Sequence, residues 1–134
     1  MNQFEGKITG IQSSEHMSLV LVDLGEGVEF HSILLDTVES AHYLQKGKKV
    51  NILFKETELV LSKEEKINIS IENKILGTIT EIKKGEILTR VKLNTAIGDL
   101  IALISSISSN NMSLKLNDQV LTLIKFNEVI LSPL

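Results

Sequence analysis

The feature that most constrains this chain is an internal repeat. The stretch Asn51 to Ser62, NILFKETELVLS, returns as Leu121 to Ser132, LTLIKFNEVILS, at an offset of 70 residues that aligns Lys55 with Lys125. In each copy an apolar run meets a lysine, polar positions follow, and a second apolar run ends in Leu-Ser. A strand-forming run, a charged break and another such run read as two short strands meeting at a bend. One offset shared by both copies defines a tandem duplication, with a first unit over 1–63 and a second over 64–134.

The rest of the chain repeats at nearly the same period, within a residue or two. Phe4 to Ile11 alternates apolar and polar residues as a half-buried strand does, Met17 to Leu24 reads as a second strand, and Gly25 to Gly27 permits a tight reversal into Val28 to Leu35. Asp36-Thr37-Val38-Glu39 has the spacing of a capping box and predicts a short helix over Thr37 to Leu44, with Gly47 as its left-handed cap. Strands at Val50 to Phe54 and Glu58 to Leu61 are expected to close the unit. After the charged connection Ser62 to Ser70, Ile75 to Ile82, Ile87 to Leu93 and Leu100 to Ile104 repeat the first three strands. Asn117 stands in place of Gly47, and asparagine is the next-best residue at a positive φ, so the repeat predicts one left-handed position kept twice.

Each unit thus has about five strands and one short helix before the fourth, the element order of a small OB-like barrel, and the fold class is all-β. Closure matters because an open five-stranded sheet exposes apolar edges. Units of this size are marginal alone, so they are expected to share a core or to oligomerise.

Composition narrows the functions. The chain has no cysteine, which removes disulfides, thiolate metal sites and cysteine nucleophiles. A formal charge of −3, few aromatics and a single arginine, Arg90, argue against a nucleic-acid footprint. No apolar run reaches the roughly 20 residues of a membrane span, and MNQFEGKITG has no signal-peptide core, so a cytoplasmic protein without a membrane partner is expected. His16, His31 and His42 lack metal-ligand spacing, and neither a Gly-rich phosphate loop nor a serine elbow is present, so no metal cation, organic cofactor or enzymatic activity is expected. Phe4, Phe30, Phe54 and Phe126 read as core or interface fillers, and Lys46, Lys48 and Lys49 as a solvated turn.

The paired segments N-Q-F-E-G-K-I-T-G-I with L-Q-K-G-K-K-V-N-I-L-F-K-E-T-E-L-V-L, and N-K-I-L-G-T-I-T-E-I with L-K-L-N-D-Q-V-L-T-L-I-K-F-N-E-V-I-L, resemble the molybdate-binding Mop domain of the TOBE family, in the two-domain arrangement called a molbindin. The resemblance covers nearly the whole chain. It implies cytoplasmic binding of molybdate or tungstate for storage or homeostasis, at sites between subunits of a homotrimer. Three family motifs carry over. Ser-x-Arg-Asn falls on Ser70, Ile71, Glu72 and Asn73, Thr-x-x-Ser on Ser105 and Ser108, and a lysine with a small residue on Lys125 and Phe126. In the first unit Asn2 survives, Leu35 and Val38 occupy the Thr-x-x-Ser places, and Lys55 is followed by Glu56. Glu72 replaces the family arginine, and Glu56 and Phe126 replace the small residue.

The residue types have their own logic. A tetrahedral dianion offers only acceptor oxygens, so its site needs hydroxyls, backbone N–H groups and a cation. Ser105 to Ser109 is hydroxyl-dense at an expected helix start, with Lys125 as the charge and backbone N–H groups near Ile71 completing the shell. The same serines also serve as ordinary helix caps, and Lys55 and Lys125 also suit solvated strand edges. Beside oxyanion binding stand a degenerate Mop domain kept as an oligomerisation or protein-interaction module, and a less favoured OB-type nucleic-acid binder.

Overall fold

The computed structural model describes all 134 residues. The first half contributes β1 (Asn2–Ser14), β2 (Met17–Gly25), β3 (Val28–Leu34), β4 (Lys49–Phe54) and β5 (Val60–Ser62). The second contributes β6 (Asn73–Lys84), β7 (Leu88–Thr95), β8 (Gly98–Ser105), α1 (Ser106–Met112), β9 (Gln119–Ile124) and β10 (Ile130–Pro133). All-β character and two five-stranded sheets emerge as the alternation requires.

Duplication is visible down to single hydrogen bonds. Both first strands shift register at one place, between Ile8 and Gly10 and between Ile79 and Glu81. Gly47 N–H donates to the Ile8 carbonyl at 2.8 Å, and Asn117 N–H to the Ile79 carbonyl at 2.8 Å. Gly47 has φ +88° and Asn117 φ +72°, the left-handed position expected in both copies.

Two expectations need correction. Residues Glu58 to Leu61 do not close the first unit. The sheets run β10-β4-β1-β2-β3 and β5-β9-β6-β7-β8, so each half takes its fifth strand from the other. Leu61 pairs with Thr122, and Leu131 with Ile52. The cause lies at the bends, where extended Lys55 and Lys125 lead into the 3₁₀ turns Glu56–Glu58 and Phe126–Glu128 and redirect the chain to the opposite sheet. Nor is Thr37 to Leu44 a regular α-helix. Thr37 N–H is capped by the Ser40 hydroxyl at 2.8 Å, one turn closes from Ala41 N–H to the Thr37 carbonyl at 2.9 Å, and the chain then leaves in turns. β-Branched Thr37 and Val38 at the start, and the Thr37–Ser40 cap inside the first turn, favour that short turn.

Strand exchange also makes one core of two. Ile8, Val20, Phe30, Ile52 and Phe54 belong to the same buried cluster as Ile79, Val91, Leu100, Val120 and Leu131. The Phe54 ring stacks on Phe4 at 5.9 Å and tilts against Phe30 at 6.0 Å, so these three rings fill the core as expected. Sharing answers the size problem, since neither half alone has enough apolar surface to bury.

Candidate functional site

The crossing bends decide which candidate residues meet. β3 and β8 are outer strands of their sheets. The Glu56–Glu58 turn packs against β8, and the Phe126–Glu128 turn against β3. The two lysines are therefore carried to opposite halves from the strands that precede them.

At the end of β8, Ser105 is the N-cap of α1. Its hydroxyl accepts the Ser108 N–H at 3.1 Å and lies 3.0 Å from the Ser108 hydroxyl. Ser105 and Ser108 line a groove of about 410 Å³ together with Thr57, Leu59, Leu61, Leu103 and Met112. A neighbouring depression, lined by Met1, Lys55, Glu56, Thr57 and Leu103, shares Thr57 and Leu103 with it. Lys55 is thus next to the serine groove, and the Glu56 carboxylate beside it is held by the Met1 ammonium at 3.2 Å. Thr57 is a third hydroxyl that the sequence reading missed. Its signal was its place two residues after Lys55, where the repeat has Asn127.

The helix start is anchored from below. The Ser106 hydroxyl donates to the Gly85 carbonyl at 2.7 Å, so the Thr89 hydroxyl, 2.9 Å away, donates to Ser106. Ser106 N–H donates to the Ile87 carbonyl at 2.8 Å. These bonds fix the β6–β7 hairpin under Ser105 and Ser108. In the first half Asp36 takes the place of Ser106, and Ser18, counterpart of Thr89, bonds to Ser13 at 2.8 Å instead.

The remaining candidates gather elsewhere. Asn73 pairs with Ile124 at the last rung of the β6–β9 ladder, so Glu72 and Lys125 directly adjoin that rung, and Ser70, Ile71 and Phe126 lie beyond it. Their turn packs on β3, whose end leads into Leu35 and Val38. Within one chain the bend carries Lys125 to β3 of the first half, away from Ser105 and Ser108, so the union expected between subunits would have to bring Lys125 from another copy. Asn73 is fully buried, and its amide is spent on the His31 backbone, donating at 2.8 Å and accepting at 2.6 Å. That side chain ties the start of β6 to β3 of the other half. Ser70, Glu72, Lys55 and Lys125 are exposed, and Ile71 and Phe126 half-buried.

With this geometry in place, comparison with known proteins is informative. Residues 69–131 match the TOBE domain, so the second half is a TOBE-family domain. The whole chain folds as two similar halves in tandem with exchanged fifth strands. Its fold matches that of the cytoplasmic molybdate-binding protein ModG, solved with molybdate bound, at a TM-score of 0.91 and 23% identity over 99% of this chain and 96% of that one. MopII from Clostridium pasteurianum aligns at 27% identity and a TM-score of 0.41, over 43% of this chain and 88% of its own. A molybdate-binding protein from Sporomusa ovata aligns at 30% identity and a TM-score of 0.43, over 44% of this chain and 88% of its own. Comparison with curated protein sequences gives no match. No helix of the chain is long and apolar enough to cross a membrane.

Proposed function

We propose that this protein binds a tetrahedral oxyanion, molybdate or tungstate, reversibly and without covalent chemistry, as a cytoplasmic store or buffer. The observation that carries the reading is the meeting of three hydroxyls, Thr57, Ser105 and Ser108, in one groove, next to a depression that holds Lys55 and whose one carboxylate, Glu56, is engaged by the Met1 ammonium. Hydroxyls donate to anion oxygens and an ammonium offsets the charge, whereas a facing acceptor would repel it. With seven residues α1 is too short to matter as a dipole, so the hydroxyls and the lysine carry the argument. ModG, which shares the fold, is by its description a cytoplasmic molybdate-binding protein. The groove is open at the surface, and closure by a second and third copy of the chain gives a homotrimer with the anion between subunits. Occupancy would then be linked to assembly by mass action.

Calorimetric titration with molybdate, tungstate and sulfate, together with native mass with and without anion, tests this. Saturable heat with molybdate or tungstate supports it. Absence of heat with all three anions overturns it.

One observation favours a second reading, an interaction module without oxyanion binding. The groove walls are mainly apolar, and Leu35 and Val38 are exposed at the corresponding end of the first half. Under that reading the native mass shows an oligomer that no oxyanion alters.

A further inference from the structure

We infer that the duplication leaves one competent oxyanion site per chain and that its cation is Lys55, not Lys125; this rests on the oxyanion-binding reading above. Because the fifth strands are exchanged, the molecule has two site positions related by the repeat. One joins the Lys55 bend to the end of β8, the other the Lys125 bend to the end of β3. Their chemistry differs in three respects.

First, donors. The β8 position offers Ser105, Ser108 and Thr57, and the β3 position has Leu35, Val38 and Asn127 in their places. Leu35 is 82% exposed and Val38 44% exposed. An anion held against these two would lose water and gain no hydrogen bond from either, which leaves the Asn127 amide as the one donor among the three.

Second, charge. Beside Lys55 the Glu56 carboxylate is already engaged by the Met1 ammonium, at 3.2 Å, and Lys55 forms no salt bridge of its own. On the Lys125 side, Glu72 and Lys125 each adjoin the last rung of the β6–β9 ladder, Asn73 with Ile124, and Glu72 also lies outside any salt bridge. An unpaired carboxylate at the same end of the ladder as Lys125 opposes a dianion there.

Third, support. The Thr89, Ser106 and Gly85 bonds hold Ser105 and Ser108 in place, whereas the first half forms turns and has Asp36 at the position of Ser106. Donors, charge and support all favour the β8 position.

Titration of the full chain with sodium molybdate, followed by calorimetry and by equilibrium dialysis, tests the inference. The expected result is about one anion per chain. Lys55→Ala should weaken binding about tenfold or more, as loss of a charge-assisted contact does, and Lys125→Ala less than about twofold. Lys55→Arg, which retains the charge, should recover most of the affinity. Both lysines are exposed, so neither change disturbs the core. Two equal anions per chain, or a Lys125→Ala loss as large as that of Lys55→Ala, overturns this inference and leaves oxyanion binding standing. A wild-type chain that binds no anion overturns the two together.

Discussion

Asn2 and Ile101 exchange two hydrogen bonds across the molecule, Nδ2–H to the Ile101 carbonyl at 2.9 Å and Ile101 N–H to Oδ1 at 2.9 Å. Asn73 repeats the arrangement on His31. Each amide imitates a strand, satisfying one donor and one acceptor on the outer strand of the other half. Replacing either asparagine by alanine leaves two backbone groups unpaired at a buried contact. We expect each single change to cost about 2–3 kcal/mol in urea denaturation. A loss below about 0.5 kcal/mol would show that water replaces the amide without penalty.

Repeat-related glycines should not be equally sensitive. A Cβ on Gly6 would lie 2.6 Å from Val22 Cγ1 and 2.8 Å from the Asp23 carbonyl oxygen, whereas on Gly77 the shortest approach is 3.2 Å, to the Leu93 side chain. Backbone cannot give way as a side chain does. Gly6→Ala should cost about 2–3 kcal/mol and Gly77→Ala about 1 kcal/mol or less. Equal losses in thermal denaturation would contradict the clash argument.

Ser106 is buried and acts as both donor and acceptor beneath the groove. Ser106→Ala removes both bonds and should cost about 1–2 kcal/mol, with weaker oxyanion binding as Ser105 and Ser108 lose their footing. Ser106→Thr keeps the hydroxyl and should retain affinity. If Ser106→Ala lowers stability and leaves affinity intact, the network supports the fold alone.

Tyr43 is the sole tyrosine, so its ionisation can be followed by phenolate absorbance. Burial, and secondarily the charge of Asp36, raise its pKa above the ordinary value. The sign follows from linkage. A folded-state pKa above the unfolded one gives stability that is fully present below about pH 10 and is lost as pH rises through the raised folded value. The native midpoint should exceed that of the denatured chain, and Asp36→Asn should lower it only in part. A native midpoint at or below the denatured one would contradict the assignment.

Much of the fold was legible because its signals are local. Alternation in Phe4 to Ile11 marks β1, and glycine or asparagine at 47 and 117 marks a positive φ whatever surrounds it. Strand partnership was not legible. Leu61 and Leu131 are the same residue in similar settings and would fit either sheet, so only the bends at Lys55 and Lys125 choose between them. The same ambiguity touches the candidate site: Ser105 and Ser108 are legible as a hydroxyl pair, but nothing in the spacing says that the bend lying nearest to them within the chain is the one that carries Lys55 and Thr57. The fold-holding role of Asn73 was illegible for a related reason. A polar residue ahead of a strand does not announce that its amide pairs with a strand of the other half. The absent first helix is a failure of another kind, since Asp36 to Glu39 satisfies the capping pattern and nothing beneath it supplies the anchors that α1 receives from Gly85 and Thr89.

The traded fifth strands act as a mutual clasp. Severing the chain between Ser62 and Asn73 would leave two pieces still buckled together, each holding an arm of its mate. A lone half has an empty berth beside β4 or β9 and a loose arm that fits the same berth in an identical molecule. Such a fragment would mature by pairing with its twin, so the unit of folding here is the couple, whether or not one peptide joins it.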